Sequence, residues 1–119
     1  MTITRRGKTF RDLVTEAKSR IKEVSREDLK QWLADKNPVV IDVREAADYE
    51  AGHVPGAVHC SRGVLELDIN EIAPDQDALI VTVCGGGSRS ALAADTLQVM
   101  GYGNVYSLAG GYKGWKQGE

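Results

Sequence analysis

The chain has 119 residues, room for one domain and one hydrophobic core. Apolar residues make up 42% and charged residues 27%, an ordinary balance for a globular chain, and the net charge of −2 argues against a dedicated nucleic-acid binder. The longest apolar stretch, Leu79 to Cys84, is far too short to span a membrane, and two cysteines are too few for a disulfide-stapled secreted scaffold. Arg5-Arg6 lacks the following apolar run of an export signal, so a cytoplasmic protein with reduced thiols is the expectation.

Charge is unevenly spread. Residues 1–22 carry seven basic and two acidic side chains, a local +5, whereas the remaining eight and fifteen give −7. A solvated basic helix face on an acidic body accounts for this. Asp12 and Glu16 count against an organelle-targeting presequence.

In chain order, Phe10, Leu13, Val14, Ala17 and Ile21 recur at helical spacing, with Thr9 as N-cap and Asp12 in the first turn. Ser25 opens a second helix, with Asp28 at the capping-box position and Leu29, Trp32 and Leu33 on one face. Asn37-Pro38 stops it, because the residue before proline is pushed out of helical geometry. A leading helical segment therefore covers about 9–36 of a single domain, 1–119. Val39 to Val43 is a continuous, mostly β-branched run, as in a strand buried on both faces of a parallel sheet, and Leu79 to Val83 is another. Weaker strands fall at 57–60 and 104–108, with short helical turns at 45–51 ended by Gly52. A helix is expected over 64–72. Another runs from Ser90 to Met100, where Ala91, Ala94, Leu97 and Met100 form a stripe and Gly101 terminates it. Strands alternating with helices point to an α/β fold with a parallel sheet.

The segment from Leu79 through Cys84-Gly-Gly-Gly-Ser-Arg89-Ser90 reads as strand, glycine loop, helix. Ligands in open parallel sheets bind at the carboxyl ends of strands, where Cys84 stands. Gly85, Gly86 and Gly87 let successive N–H groups turn inward as an anion nest. The helix start adds unsatisfied N–H groups, and Arg89 adds a charge. Each favours thiolate over thiol, which would make Cys84 nucleophilic near neutral pH. Singly, such a cysteine is often only a small buried hydrophobe. The combination carries the catalytic reading.

The loop Cys84 to Ser90 resembles the active-site loop of single-domain rhodaneses, the thiosulfate sulfurtransferase family. So do Asp42-Val-Arg44-Glu45, Tyr49-Glu-Ala-Gly52-His53-Val-Pro55-Gly56-Ala57, and the C-terminal Gly101-Tyr-Gly-Asn104-Val105 with Leu108-Ala-Gly110-Gly111-Tyr-Lys-Gly-Trp115. These motifs cover residues 39–115 in the family's order. The resemblance implies a five-stranded parallel sheet with helices on both faces. It also implies sulfur transfer through a persulfide on Cys84, from thiosulfate or a persulfide donor to cyanide or a thiol. No metal and no organic cofactor would take part. The amides of Gly85, Gly86, Gly87, Ser88, Arg89 and Ser90 would form the cradle, and Arg62 resembles an arginine found near the mouth of the family's pocket. A protein could also serve as sulfur acceptor; neither nucleic acid nor membrane is implied as a partner.

Two other functions remain open on these residues. A cysteine phosphatase or arsenate reductase also sets a thiolate in a loop ending in arginine, but the phosphatases sharing this fold have a loop one residue longer than the four residues between Cys84 and Arg89. A sulfur-carrier module would differ from an enzyme by partner rather than by residue. Among the other candidates, Asp42 and Arg44 read as an ion pair fixing a loop, and His53 as a hydrogen-bonded turn residue. Tyr112 and Trp115 read as packing residues. Cys60 at the end of a strand is either a small core residue or, if near Cys84, a partner for an internal disulfide.

Overall fold

The computed structural model describes residues 6–118; Arg5 of the Arg5-Arg6 pair lies outside them. The chain folds as α1 (Phe10–Arg20), β1 (Lys22–Val24), α2 (Arg26–Asp35), β2 (Val39–Asp42), α3 (Ala46–Ala51) and β3 (Val58–His59). A 3-10 turn (Arg62–Val64) then leads into α4 (Leu65–Ile72), β4 (Ile80–Val83), α5 (Ser88–Val99), β5 (Val105–Leu108) and α6 (Gly111–Gln117). The five strands form one parallel sheet in the order β1-β5-β4-β2-β3. None of the helices among the described residues is long and apolar enough to cross a membrane.

Both faces of the sheet are covered, which is why β2 and β4 are apolar at nearly every position. On one face Ile41, Val43, Ile80 and Val105 pack with Leu65, Ile69, Ala94 and Leu97 of α4 and α5. On the other, Val24, Val40, Val81, Val83 and Leu108 pack with Leu29 of α2 and Trp115 of α6. Strand alternation puts Cys84 on the same face as Ile80, towards α5.

Local chemistry fixes the leading helices as the sequence suggests. Thr9 accepts from the Asp12 N–H while the Asp12 carboxylate accepts from the Thr9 N–H, a complete capping box. Ser25 caps α2 in one direction only, accepting from the Asp28 N–H. Between these helices the structure places β1, inside the 9–36 segment where the local pattern predicts helix. Its three residues pair with Tyr106, Ser107 and Leu108, and only Val24 is buried, so it has no apolar pattern of its own. The second addition is α6. Gly110 and Gly111 enter it with positive φ (76° and 60°), and Gly114 lies within it, so intrinsic propensity disfavours this helix. α5 starts at Ser88, two residues earlier than expected, because Gly87 takes the N-cap position in left-handed geometry.

Candidate active site

Cys84 follows the last residue of central strand β4, and its side chain is only 2% exposed. The Gly87 N–H points at Sγ from 3.1 Å, and the Ser90 hydroxyl lies 3.4 Å away. The thiol donates to Ser90 when protonated; once the proton is gone, the hydroxyl donates to sulfur. Burial alone pushes the Cys84 thiol up. The Ser90 hydroxyl and the amides of Ser90, Gly87 and Gly86 outweigh that and hold it below the ordinary value.

The inward turn of these amides is set from outside the loop. The Tyr112 N–H donates to the Cys84 carbonyl at 2.8 Å, and the Lys113 N–H to the Gly85 carbonyl at 3.0 Å. Because the peptide unit is planar with N–H opposite C=O, drawing the Gly85 carbonyl towards α6 turns the Gly86 N–H the other way, towards sulfur. Gly111 makes this approach possible. A Cβ there would stand 2.5 Å from the Gly85 oxygen and 2.6 Å from the Cys84 oxygen. Ser90 is anchored as well: the Thr82 hydroxyl donates to its carbonyl at 2.8 Å, and its own hydroxyl pairs with that of Ser107 at 2.8 Å.

Asp42 and Arg44 form the anticipated ion pair. Arg44 Nε and Nη2 both reach the Asp42 carboxylate, at 2.9 and 2.7 Å, and Nη2 also donates to the Gly52 carbonyl. Hydrogen bonding to Asp42 raises the Arg44 pKa. The guanidinium lies over the Tyr112 ring, 4.6 Å from its centroid. The pair is therefore a strut from β2 to α6, the helix that holds the loop. A crevice of about 340 Å³ opens beside it, lined by Arg44, Asp48, Gly85, Tyr112, Lys113 and Lys116. Tyr112 packs against the core with one side and lines the crevice with another, Trp115 is core, and His53 bonds the Tyr49 carbonyl through Nδ1.

The structure brings Cys84, Gly86, Gly87 and Ser90 together around one sulfur. Gly85 faces the crevice, and Ser88 lines a groove against α1. Arg89 is half-buried and its side chain makes no hydrogen bond or ion pair among the described residues; the Ser90 hydroxyl and the amides of Ser90, Gly87 and Gly86 favour the thiolate. Arg62 is not brought to the loop. Its guanidinium spans Glu66 at 2.8 Å and Thr96 at 3.0 Å, and Thr96 lies eight residues into α5, about 12 Å along the helix from Ser88. The i,i+4 pair with Glu66 was visible in the sequence.

The two cysteines do not meet. Continuing the register of Val83, Asp42 and His59 places Cys84, Val43 and Cys60 side by side on three adjacent strands. Two strand spacings put their Cα atoms about 9.6 Å apart, beyond disulfide reach, with fully buried Val43 between them. Burial, with Asp68 and Glu66, pushes the Cys60 thiol up. Cys60 is a core residue. Ser107 and Thr82 are the site residues the sequence reading missed, and a polar side chain inside an otherwise apolar buried strand was the signal for both.

A buried thiol whose anion is held by backbone amides, at the carboxyl end of a parallel sheet, defines a sulfur-centred anion site. Residues 25–118 match the rhodanese-like domain, and the chain belongs to that family of sulfurtransferases and sulfur carriers. It is 37% identical over 86 residues to the thiosulfate sulfurtransferase GlpE of Pseudomonas fluorescens, covering 72% of this chain and 77% of that one. It is 35% identical over 102 residues to YrkF of Bacillus subtilis, named as a candidate sulfur carrier; the match covers 85% of this chain but 54% of YrkF. Among solved structures, a Rhodopseudomonas palustris protein of unknown function, described as a possible tyrosine phosphatase, superposes with TM-score 0.86 at 33% identity. That likeness covers 99% of this chain and 94% of the other. The human single-domain sulfurtransferase TSTD1 gives TM-score 0.74 at 26% identity, covering 82% and 96%.

Proposed function

We propose that the protein is a sulfurtransferase that carries sulfane sulfur on Cys84. The Cys84 thiolate attacks the outer sulfur of thiosulfate or of a persulfide donor. That S–S bond breaks, and sulfite or the donor thiolate leaves with the electron pair. The product, Cys84–S–S⁻, lies in the nest of Gly86, Gly87 and Ser90 amides, which would stabilise this anion as they do the thiolate. Cyanide or a thiolate then attacks the outer sulfur, and Cys84 is released as thiolate. Arg89 acts at longer range, on the approach of the anionic donor. The transfer step at Cys84 needs no contact from Arg62, which is held by Glu66 and Thr96.

The single observation that supports this most is the hydrogen bonding of one sulfur by Gly87 and Ser90 while its neighbours' carbonyls are drawn away to α6. Mass spectrometry after thiosulfate treatment should find a gain of one sulfur atom on the Cys84 peptide, discharged by cyanide. Cys84→Ser should lose both the adduct and turnover while melting as the wild type does. Activity within several-fold of wild type in that variant would sink the assignment.

The likeness to YrkF supports a second reading, in which the same persulfide passes only between partner proteins. Stoichiometric loading by thiosulfate with negligible cyanide turnover would favour it. Hydrolysis of an aryl phosphate outpacing thiosulfate turnover would replace both readings by a phosphatase.

A further inference from the structure

α1 lies outside the segment that matches the family domain, yet it stands beside the Cys84 loop. Its direction explains why. β1 begins one residue after Ile21 and runs parallel to β5, so α1 must run the opposite way, from the carboxyl end of the sheet to the amino end. α5 runs the same way, and the two helices are tied at the far end by Arg20 to Asp95 (2.6 Å) and by Gln98 Nε2 to the Arg20 carbonyl (3.1 Å). The first turns of α1 are thereby set next to Ser88, the first residue of α5.

A groove of about 320 Å³ runs between them, lined by Phe10, Arg11, Val14, Thr15, Lys18 and Ser88. Arg11, Thr15 and Lys18 fall at i, i+4 and i+7 on one stripe of α1, and Phe10 and Val14 line the groove beside it. The acidic residues of α1 are already engaged, Asp12 with the Thr9 N–H and Glu16 with Lys8. Arg11 and Lys18 make no ion pair among the described residues, although residues 23–119 sum to −7. Phe10 is 56% exposed. Two uncompensated cations, an apolar lining and one end at the catalytic loop together describe a surface for something acidic, extended and partly apolar.

We propose that the α1–α5 groove docks an acidic segment of a protein that exchanges sulfur with Cys84. This rests on the sulfur-transfer reading above. Arg11 and Lys18 are seven residues apart, about 10.5 Å along the helix. In a polyproline II segment, with three residues per turn and roughly 3.1 Å per residue, carboxylates three residues apart share a face and span about the same distance. A segment with that spacing meets both cations, lays an intervening apolar side chain on Phe10 and Val14, and delivers the residues beyond it at Ser88. If those residues carry a thiol, its thiolate attacks the outer sulfur of Cys84–S–S⁻. The S–S bond breaks, Cys84 leaves as thiolate with the electron pair, and the outer sulfur passes over as the new persulfide anion; no oxidant or reductant is consumed.

The test uses the full chain and two peptides, acetyl-ELGEGC-amide and its neutral counterpart acetyl-QLGQGC-amide. Dye-labelled versions ending in serine report binding by anisotropy, independently of any chemistry. At low ionic strength the acidic peptide should bind about tenfold tighter than the neutral one, and added salt should erase the difference. The double variant Arg11→Gln/Lys18→Gln should lose the preference. Lys30→Gln/Lys36→Gln, which removes the same charge from α2 and its C-cap, should keep it. With thiosulfate-loaded protein, the rate of transfer to the acidic peptide relative to cyanide should fall in the first variant. Equal affinity for the two peptides overturns the proposal, as does a preference that survives the α1 substitutions or is lost equally on α2. A small dicarboxylate thiol that depends on Arg11 and Lys18 while the peptide does not would make the groove a small-molecule subsite instead. Failure of both peptide and cyanide to take sulfur, with binding as expected, would remove the sulfur-transfer reading and leave the docking result standing.

Discussion

The hydroxyl of Ser107 lies 2.8 Å from that of Ser90, both residues fully buried, and Ser90 in turn stands 3.4 Å from the Cys84 sulfur. A serine hydroxyl rotates freely unless something holds it. Here a residue of β5 that never touches sulfur fixes the rotor of the one that does. With Ser107 accepting or donating at its other side, the Ser90 hydroxyl can serve either protonation state of Cys84 without leaving a buried lone pair unmatched.

Ser107 is therefore a positioning residue. Ser107→Ala should shift the pH midpoint of Cys84 alkylation upward and slow sulfur loading, on the scale of one buried hydrogen bond, about 1 kcal/mol or several-fold in rate. Ser107→Thr, which restores a hydroxyl, should recover most of the shift. A packing role alone would lower the melting temperature of the alanine variant without moving the midpoint.

Gly111→Ala should damage both stability and transfer. Its φ of 60° is the left-handed geometry that side chains resist, and the added methyl would stand against the carbonyl oxygens of Cys84 and Gly85. Strain and overpacking together are expected to cost about 2–4 kcal/mol, read by urea denaturation. The variant should also have an alkylation midpoint nearer that of a free thiol, because the Tyr112 and Lys113 amides are driven off their carbonyls.

Asp42→Ala should destabilise the fold by about 3–5 kcal/mol, since it leaves the buried Arg44 guanidinium without its counter-charge. The paired change to Asp42→Leu/Arg44→Met should be much milder in thermal melts. If the two costs match, the pair is doing something other than neutralising a buried charge.

The two thiols should imprint opposite pH dependences on stability. Cys84 is held below the ordinary thiol value of 9.0, so its contribution is fully present above pH 9.0 and is lost as pH falls through its folded value. Cys60 is pushed above 9.0, so its contribution is present below pH 9.0 and lost as pH rises through its own folded value. The stability of wild type relative to Cys84→Ser should accordingly grow from neutral pH to 9.0. Relative to Cys60→Ala it should decline at higher pH. Denaturant midpoints at matched pH values read both trends.

What could be read from the sequence were the parts whose pattern is local. Val39–Val43 and Leu79–Val83 declare themselves as doubly buried strands, and Cys84 with three glycines and a helix start declares a nest. The parts that escaped depend on distant backbone. β1 exists because β5 offers it an edge, and α6 exists despite three glycines because its amides bond Cys84 and Gly85. Ser107 was hidden for the same reason: its role appears only once β5 is laid beside β4. Arg89, one of several groups that the sequence offers in favour of the thiolate, is not among those that hydrogen-bond Cys84, which are the Ser90 hydroxyl and backbone amides; a charge acting at longer range leaves no contact to read.

The hold of Tyr112 and Lys113 on the loop also has a bearing on the order of synthesis. Cys84 leaves the ribosome well before the residues that orient its amides, and until they dock it is an unremarkable thiol. The lowered titration of Cys84 is then expected to arrive with folding rather than with translation. A nascent or thermally unravelled chain should expose an ordinary thiol, slower towards electrophiles than that of the completed domain. Comparing alkylation rates in denaturant and in buffer at one neutral pH would show the switch directly, the folded protein reacting faster despite its more buried sulfur.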